Sequence, residues 1–298
     1  MKMKTLICLM LVLFAAFSPA IAAEFPPMPG KRFDVGGYYL HIHCMGKGDP
    51  TVIVDVGLGD DSTDWQIIQQ TVAKSAHICV VDRAGYGWSD FGPSPRTSEK
   101  IAAELAILLE KANLQPPFVL VGHSFGGYNI RLFAANYPDK VAGVVLVDAS
   151  HEDQYNQFQI KLPDNDHQYS SIVISPKLAY LANSPAKPAA LSERAFYAAK
   201  AEIMALNKSA TQLHRAPTLP AIPLIVISRG KPEWYGPTKL QQREKTWQSL
   251  QQNLSQLSPI STHMFAHKSG HDIPQQQPEI IVEAIEQVIC QIHANNTL

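Results

Sequence analysis

One segment, Val119-Leu120-Val121-Gly122-His123-Ser124-Phe125-Gly126-Gly127, holds a hydroxyl where it could do chemistry. The apolar run fits a buried strand, and it ends in Gly-x-Ser-x-Gly. A helix-like stretch, Tyr128 to Asn136, follows at once. A serine between two glycines at such a junction sits on a sharp, strained turn. The glycines leave room where a side chain would strike neighbouring backbone, so the hydroxyl stands clear above a strand end. Serine is a poor nucleophile at neutral pH. It needs a base within hydrogen-bond reach, and the base needs a carboxylate to orient it. The pattern predicts that Ser124 attacks a substrate carbonyl. The rest of the chain must then supply a base, an acid and donors for the oxyanion.

Short apolar runs alternating with longer helical patterns provide the frame. Tyr38 to Cys44, Thr51 to Val56, His77 to Asp82, Phe118 to Val121, Val141 to Val147, Leu224 to Ile227 and Thr262 to Ala266 read as strands. Ser98 to Ala112, Gln241 to Leu254 and Pro278 to Ile292 carry helical spacing. Strand runs without polar alternation predict burial on both faces, and hence a largely parallel sheet covered by helices, an α/β fold. One segment breaks the rhythm. From about Glu152 to Leu219 there is no clean strand, several prolines recur, and Leu191 to Leu206 has a helical pattern. The expectation is an insertion between two strands (about 152–219) that caps the site.

The chain opens with Lys2 and Lys4, an apolar run from Leu6 to Phe17, and a small-x-small pattern at Ala20 and Ala22. This predicts a secretory signal peptide over 1–22, cut after Ala22, and a secreted or periplasmic product of residues 23–298. The run is too short for a comfortable membrane span, and no later segment approaches the roughly 20 apolar residues that one needs. The formal net charge is −1. A near-neutral chain of this size gives no electrostatic argument for nucleic acid or an anionic membrane as partner. Beyond the leader stand Cys44, Cys79 and Cys290, an odd number that forbids complete pairing within the chain. Cys79 lies in an apolar run and is expected to be buried as a small hydrophobe. Cys44 and Cys290 could pair in an oxidising compartment.

The chain resembles the α/β-hydrolase superfamily, in its single-domain serine esterase and aminopeptidase-like branch, through landmarks in the family's order. Val56-Gly57-Leu58-Gly59-Asp60, with Trp65 soon after, is similar to the family's His-Gly-x-Gly oxyanion loop, with valine in place of the bracing histidine. Asp82-Arg83-Ala84-Gly85-Tyr86-Gly87-Trp88-Ser89 matches its Asp-Arg-x-Gly-x-Gly-x-Ser turn. Gly122 to Gly126 matches the nucleophile elbow, and Ser269-Gly270-His271 its catalytic-histidine loop. The resemblance implies a doubly wound, mostly parallel eight-stranded sheet with a helical cap. It implies Ser124 as nucleophile, His271 as base, and oxyanion donors at the backbone N–H groups of Phe125 and Leu58. The family's two acid positions fall on Asp148, at the end of a strand, and on Glu233, after the next one. Asp148 is preferred because a short side chain on a rigid strand end is better fixed. Asp82 and Arg83 are expected to brace their own turn, and His123 to be structural.

Two clusters invite a metal reading: His41 and His43 beside Cys44, and His263, His267 and His271 at four-residue spacing. A metal site needs convergent ligands, which these spacings do not provide across a strand and a loop. No metal and no cofactor is expected. The predicted activity is hydrolysis of small or medium carboxylic esters through an acyl-enzyme. The alternatives are an amide or peptide hydrolase of the proline-iminopeptidase type, and a non-catalytic binding protein that kept the fold. An aminopeptidase would need an acidic anchor for the substrate amine, for which Glu152, Asp153, Glu193 and Glu202 are candidates. The sequence leaves the oligomeric state open.

Overall fold

The computed structural model describes residues 27–163, 189–216, 218–233 and 238–295. The signal-peptide expectation lies outside these residues, as does the middle of the expected cap. Eight strands form one sheet: β1 (Lys31–Asp34), β2 (Tyr39–Met45), β3 (Val52–Asp55), β4 (Ile78–Asp82), β5 (Phe118–His123), β6 (Val141–Val147), β7 (Leu224–Arg229) and β8 (Ser261–Ala266). Their order across the sheet is β1-β2-β4-β3-β5-β6-β7-β8. All neighbours run parallel except β2, which is antiparallel to both β1 and β4. The sequence patterns contain no counterpart of β1, which is short and bounded by Lys31 and Asp34. The other strands lie within two residues of their expected limits.

Burial follows strand periodicity. Val52, Val54, Val119, Val121, Val145, Val147, Ile225 and Ile227 face one helical layer. Their odd-even neighbours Ile53, Leu120, Val144, Leu146, Leu224 and Val226 face the other. Successive strand residues point to opposite faces, so two apolar faces require the unalternating runs seen in the sequence. Helices α1 (Gln66–Val72) and Pro278–Asn295 cover the first face. Helices α2 (Ser98–Lys111), α3 (Gly126–Asn136) and the long Ala189–Arg215 cover the second. Ala189–Arg215 and the short Gln154–Gln157 are the described helices of the segment expected to form a cap. No described helix is long and apolar enough to cross a membrane.

Cys79 is buried as expected, but it is not a free thiol, and Cys44 takes it rather than Cys290 as partner. Cys44 stands directly opposite Cys79 in the β2–β4 pair, and the two form a disulfide. Cys290 is free and exposed on the last helix. Antiparallel register brings the first two together, a proximity that sequence spacing does not reveal. The same register places His77 beside them, so that Cys44, His77 and Cys79 are the converging ligand-type group among the described residues. The S–S bond occupies both sulfurs. The His263, His267 and His271 series does not converge; His263 instead contacts Ser228 and Gln252.

Candidate active site

The direction in which strands are added to the sheet reverses around β3: the parallel strands β4 and β5 lie on opposite sides of it. In open α/β sheets the crevice beyond the carboxyl ends of the strands at such a point is where ligands bind. Ser124 occupies the end of β5 there, with φ 51°. This left-handed conformation is costly for a residue with a side chain. Two close approaches hold it. A Cβ on Gly122 would lie 2.8 Å from the Gly126 carbonyl, and one on Gly126 would lie 2.1 Å from the Asp55 carbonyl oxygen. Neither position admits a side chain. The elbow is tied to the next strand as well: Ser124 N–H donates to Val147 O and Ser150 N–H donates to Ser124 O.

The tail of the chain delivers the imidazole. His271 follows β8, and its Nε2 accepts from Ser124 Oγ at 3.0 Å. Its Nδ1–H donates to Asp148 Oδ2 at 2.6 Å. Asp148 follows β6, has φ 38°, and is fully buried, while the His271 side chain keeps 29% of its surface open. A substrate can therefore reach the serine and imidazole, and the carboxylate stays out of water. The sequence places these three residues on three different strand ends, and the sheet brings them into one hydrogen-bonded line.

Glu233, the rival acid, lies elsewhere. Its Oε1 accepts from the backbone N–H of His271 at 2.7 Å. It supports the loop, and the ring Nδ1 is bonded to Asp148. Gly270 leaves space for it, since a Cβ there would fall 2.0 Å from Glu233 Oε1. His123 supports the same loop from below: its Nε2–H donates to the His271 carbonyl at 3.0 Å, and its Nδ1 is 3.5 Å from Asp60 Oδ2.

Three residues around Asp148 carry no motif. Trp247 Nε1–H donates to Asp148 Oδ1 at 2.8 Å. Arg229 donates to Asp148 Oδ2 at 2.9 Å, pairs with Glu244, and lies over the Trp247 ring. An arginine ending the buried run Leu-Ile-Val-Ile-Ser-Arg was the available signal, because a buried charge demands a partner. Trp247 and Glu244 sit on the helix Thr238–Leu254 with nothing local to mark them. Burial pushes the Asp148 carboxyl up. The His271 hydrogen bond, the Arg229 charge and the Trp247 donor outweigh it and leave the group at about 2. Burial lowers the His271 imidazole below its ordinary 6.5, against the pull of Asp148.

The glycine loop after β3 rests against the elbow. Phe125, which precedes α3 as its N-cap, and Leu58 have N–H groups that donate to no other described residue. The Phe125 ring is buried beneath Arg83, while Leu58 is partly exposed. Asp82 braces its own turn as expected, accepting from Ser62 N–H, Trp88 N–H and His41. Arg83 does more than expected. It reaches back to the glycine loop, where it donates to Val56 O at 2.5 Å and Gly57 O at 3.1 Å. The loop that lacks the bracing histidine is thus held by an arginine. Of the acids considered as amine anchors, Glu202 is completely buried against Arg83 and Glu152 is paired with Arg131. Asp153 faces His214, and Glu193 is exposed.

Residues 50–214 match the alpha/beta hydrolase fold family. The uncharacterized protein YqjL of Bacillus subtilis (strain 168) is 26% identical over 261 residues, covering 87% of this chain and 92% of its own. A thermophilic esterase from Thermogutta terrifontis has TM-score 0.59 at 23% identity, over 89% of this chain and 100% of that one. The enol-lactonase of Burkholderia xenovorans LB400 has TM-score 0.60 at 17% identity, over 87% and 100%. At these identities the structural likeness carries the fold and leaves the substrate open. The family match runs from the residue pair ahead of β3 into the helix Ala189–Arg215, so the chain belongs to the alpha/beta hydrolase fold family and its function is hydrolytic.

Proposed function

We propose that the protein is an exported serine hydrolase that cleaves carboxylic esters of small or medium size through an acyl-enzyme. The observation that carries this reading is the unbroken line from Ser124 Oγ through His271 to buried Asp148 at the switch point of the sheet. His271 Nε2 takes the hydroxyl proton as Ser124 Oγ bonds to the carbonyl carbon, and the carbonyl oxygen becomes an oxyanion. The N–H groups of Phe125 and Leu58 receive that oxygen, and the positive end of α3 adds to them. The imidazolium then gives its proton to the leaving alkoxide, and the C–O bond breaks. Water, deprotonated by the same nitrogen, releases the acid. Asp148 keeps Nδ1 protonated, so Nε2 is the basic nitrogen, and it stabilises the imidazolium once formed.

Two of the four candidate amine anchors of the aminopeptidase alternative, Glu152 and Glu202, are already committed to arginines, which favours the ester reading. The disulfide supports export, since such bonds persist in oxidising compartments. A fluorophosphonate probe is expected to label the wild type and to leave Ser124→Ala unlabelled. In a panel of p-nitrophenyl esters and aminoacyl p-nitroanilides, the short esters are expected to give the larger kcat/KM. Faster turnover of the anilides would replace the ester reading, and an unlabelled, well-folded wild type would favour a binding protein.

Acidity gives a second expected result. The base works only when unprotonated, and burial holds His271 below its ordinary 6.5. The acid limb of kcat/KM against pH is expected to have slope one and a midpoint below 6.5. A midpoint above 7 would assign the limb to another group.

A further inference from the structure

The Arg83 guanidinium has five N–H donors, and each of the five has an acceptor. Nη1 donates to Asp55 Oδ1 at 2.6 Å and to Val56 O at 2.5 Å. Nη2 donates to Gly57 O and to Glu202 Oε2, both at 3.1 Å. Nε donates to Glu202 Oε1 at 2.8 Å. The Gly57 carbonyl belongs to the same peptide unit as the Leu58 N–H. A trans peptide is planar, with its oxygen and hydrogen on opposite sides. Whatever fixes the Gly57 oxygen therefore aims the Leu58 N–H. The other flank of Leu58 is held by the same carboxylate: Gly59 N–H donates to Tyr86 Oη at 3.3 Å, and that hydroxyl donates to Glu202 Oε2 at 2.7 Å. Glu202 is 0% exposed. It comes from Ala189–Arg215, whereas the other partners of Arg83 come from the strand β3 and the loop after it.

We propose that Glu202 is a positioning residue for the oxyanion loop, acting through Arg83 and Tyr86 to orient the Leu58 N–H. The inference rests on the serine-hydrolase reading, in which that N–H receives the oxyanion. A planar guanidinium gripped along its Nε–Nη2 edge by both oxygens of one carboxylate cannot rotate away from the loop. Loss of that grip leaves Arg83 attached to Asp55 and frees the Gly57–Leu58 peptide to turn. The oxyanion exists only in the tetrahedral state, so the loss falls on kcat and leaves ground-state binding nearly unchanged. The consequence is that the oxyanion loop is competent only when the inserted helix is docked.

Glu202→Gln in the full chain tests this with p-nitrophenyl butyrate. The kcat is expected to fall about 10- to 100-fold while KM moves less than about 3-fold. The affinity for an alkyl boronic acid, whose boron becomes tetrahedral on Ser124, is expected to fall by the same factor as kcat/KM. Tyr86→Phe removes only the hydroxyl that links Glu202 to Gly59. It is expected to give a smaller loss of the same kind, and it decides the question should Glu202→Gln not fold. Folded variants that retain wild-type kcat and boronate affinity, or that lose only KM, overturn the proposal. Ser124→Ala in the same assay separates the two levels. If it abolishes turnover while the Glu202 and Tyr86 variants are unaffected, the positioning role alone fails. If it does not abolish turnover, the serine reading fails and this proposal with it.

Discussion

His271→Ala is expected to lower the kcat for ester hydrolysis by about 10⁴-fold or more, and Ser124→Ala by a similar factor. The double variant is expected to be no worse than either single one. The reason is geometric. Ser124 Oγ has an imidazole nitrogen at 3.0 Å, and in the proposed mechanism the same imidazole also returns the proton to the leaving group. Without His271 the hydroxyl keeps its proton, and the serine contributes nothing for a second substitution to remove. What remains is the oxyanion loop and binding of the ester, which speed attack by free water. Multiplying losses in the double variant would mean that the two side chains act in separate steps, contrary to their hydrogen bond. The His271 side chain sits at the rim with part of its surface open, so its removal leaves the core intact. Thermal unfolding of His271→Ala is expected to stay cooperative with only a modestly lower Tm, since buried Asp148 loses one hydrogen bond and keeps those of Trp247 and Arg229, which separates lost chemistry from lost fold.

The strained turn at Ser124 was legible because the elbow is a local device. Its two glycines, its strand and its helix are contiguous in the chain, and the clash distances at Gly122 and Gly126 show why the pattern tolerates nothing else. The layered sheet was legible for a related reason: runs such as Val52-Ile53-Val54 and Val144-Val145-Leu146 have to be buried on both sides. The short, polar-ended β1 had no such signature, since it is held mainly by its pairing with β2.

Long-range partnerships were not legible. Cys44 meets Cys79 through strand register, and no count of cysteines distinguishes that pair from one with Cys290. Arg229, Glu244 and Trp247 surround Asp148 through contacts between β7 and the helix Thr238–Leu254, and each looks ordinary in its own segment. Glu202 is the sharpest case. On a helix rich in alanine it reads as one surface acid among several, yet it is buried and paired with Arg83. Ion pairs inside a protein persist only where both charges are desolvated together, and the sequence shows each charge without its partner.

The second large effect concerns which carboxylate orients the imidazole. Asp148→Asn is expected to lower kcat by about 10³- to 10⁴-fold, against less than about 10-fold for Glu233→Gln. At position 148 an amide would present an N–H₂ group as readily as an oxygen toward Nδ1. Trp247 and Arg229 are themselves donors to the two carboxylate oxygens, and one amide cannot accept from all of them. The substitution therefore favours the tautomer with the proton on Nε2, where it blocks the serine. Glutamine at 233 keeps an oxygen for the His271 N–H, so the loop retains its support. Acid unfolding gives an independent measure. The Asp148 carboxyl is held at about 2 against an ordinary 3.8, a depressed value, so its stabilisation is complete above about pH 4 and is lost as pH falls through 2. Asp148→Asn is expected to flatten the stability profile in that window. A larger turnover loss in Glu233→Gln than in Asp148→Asn would move the orienting role to the loop after β7.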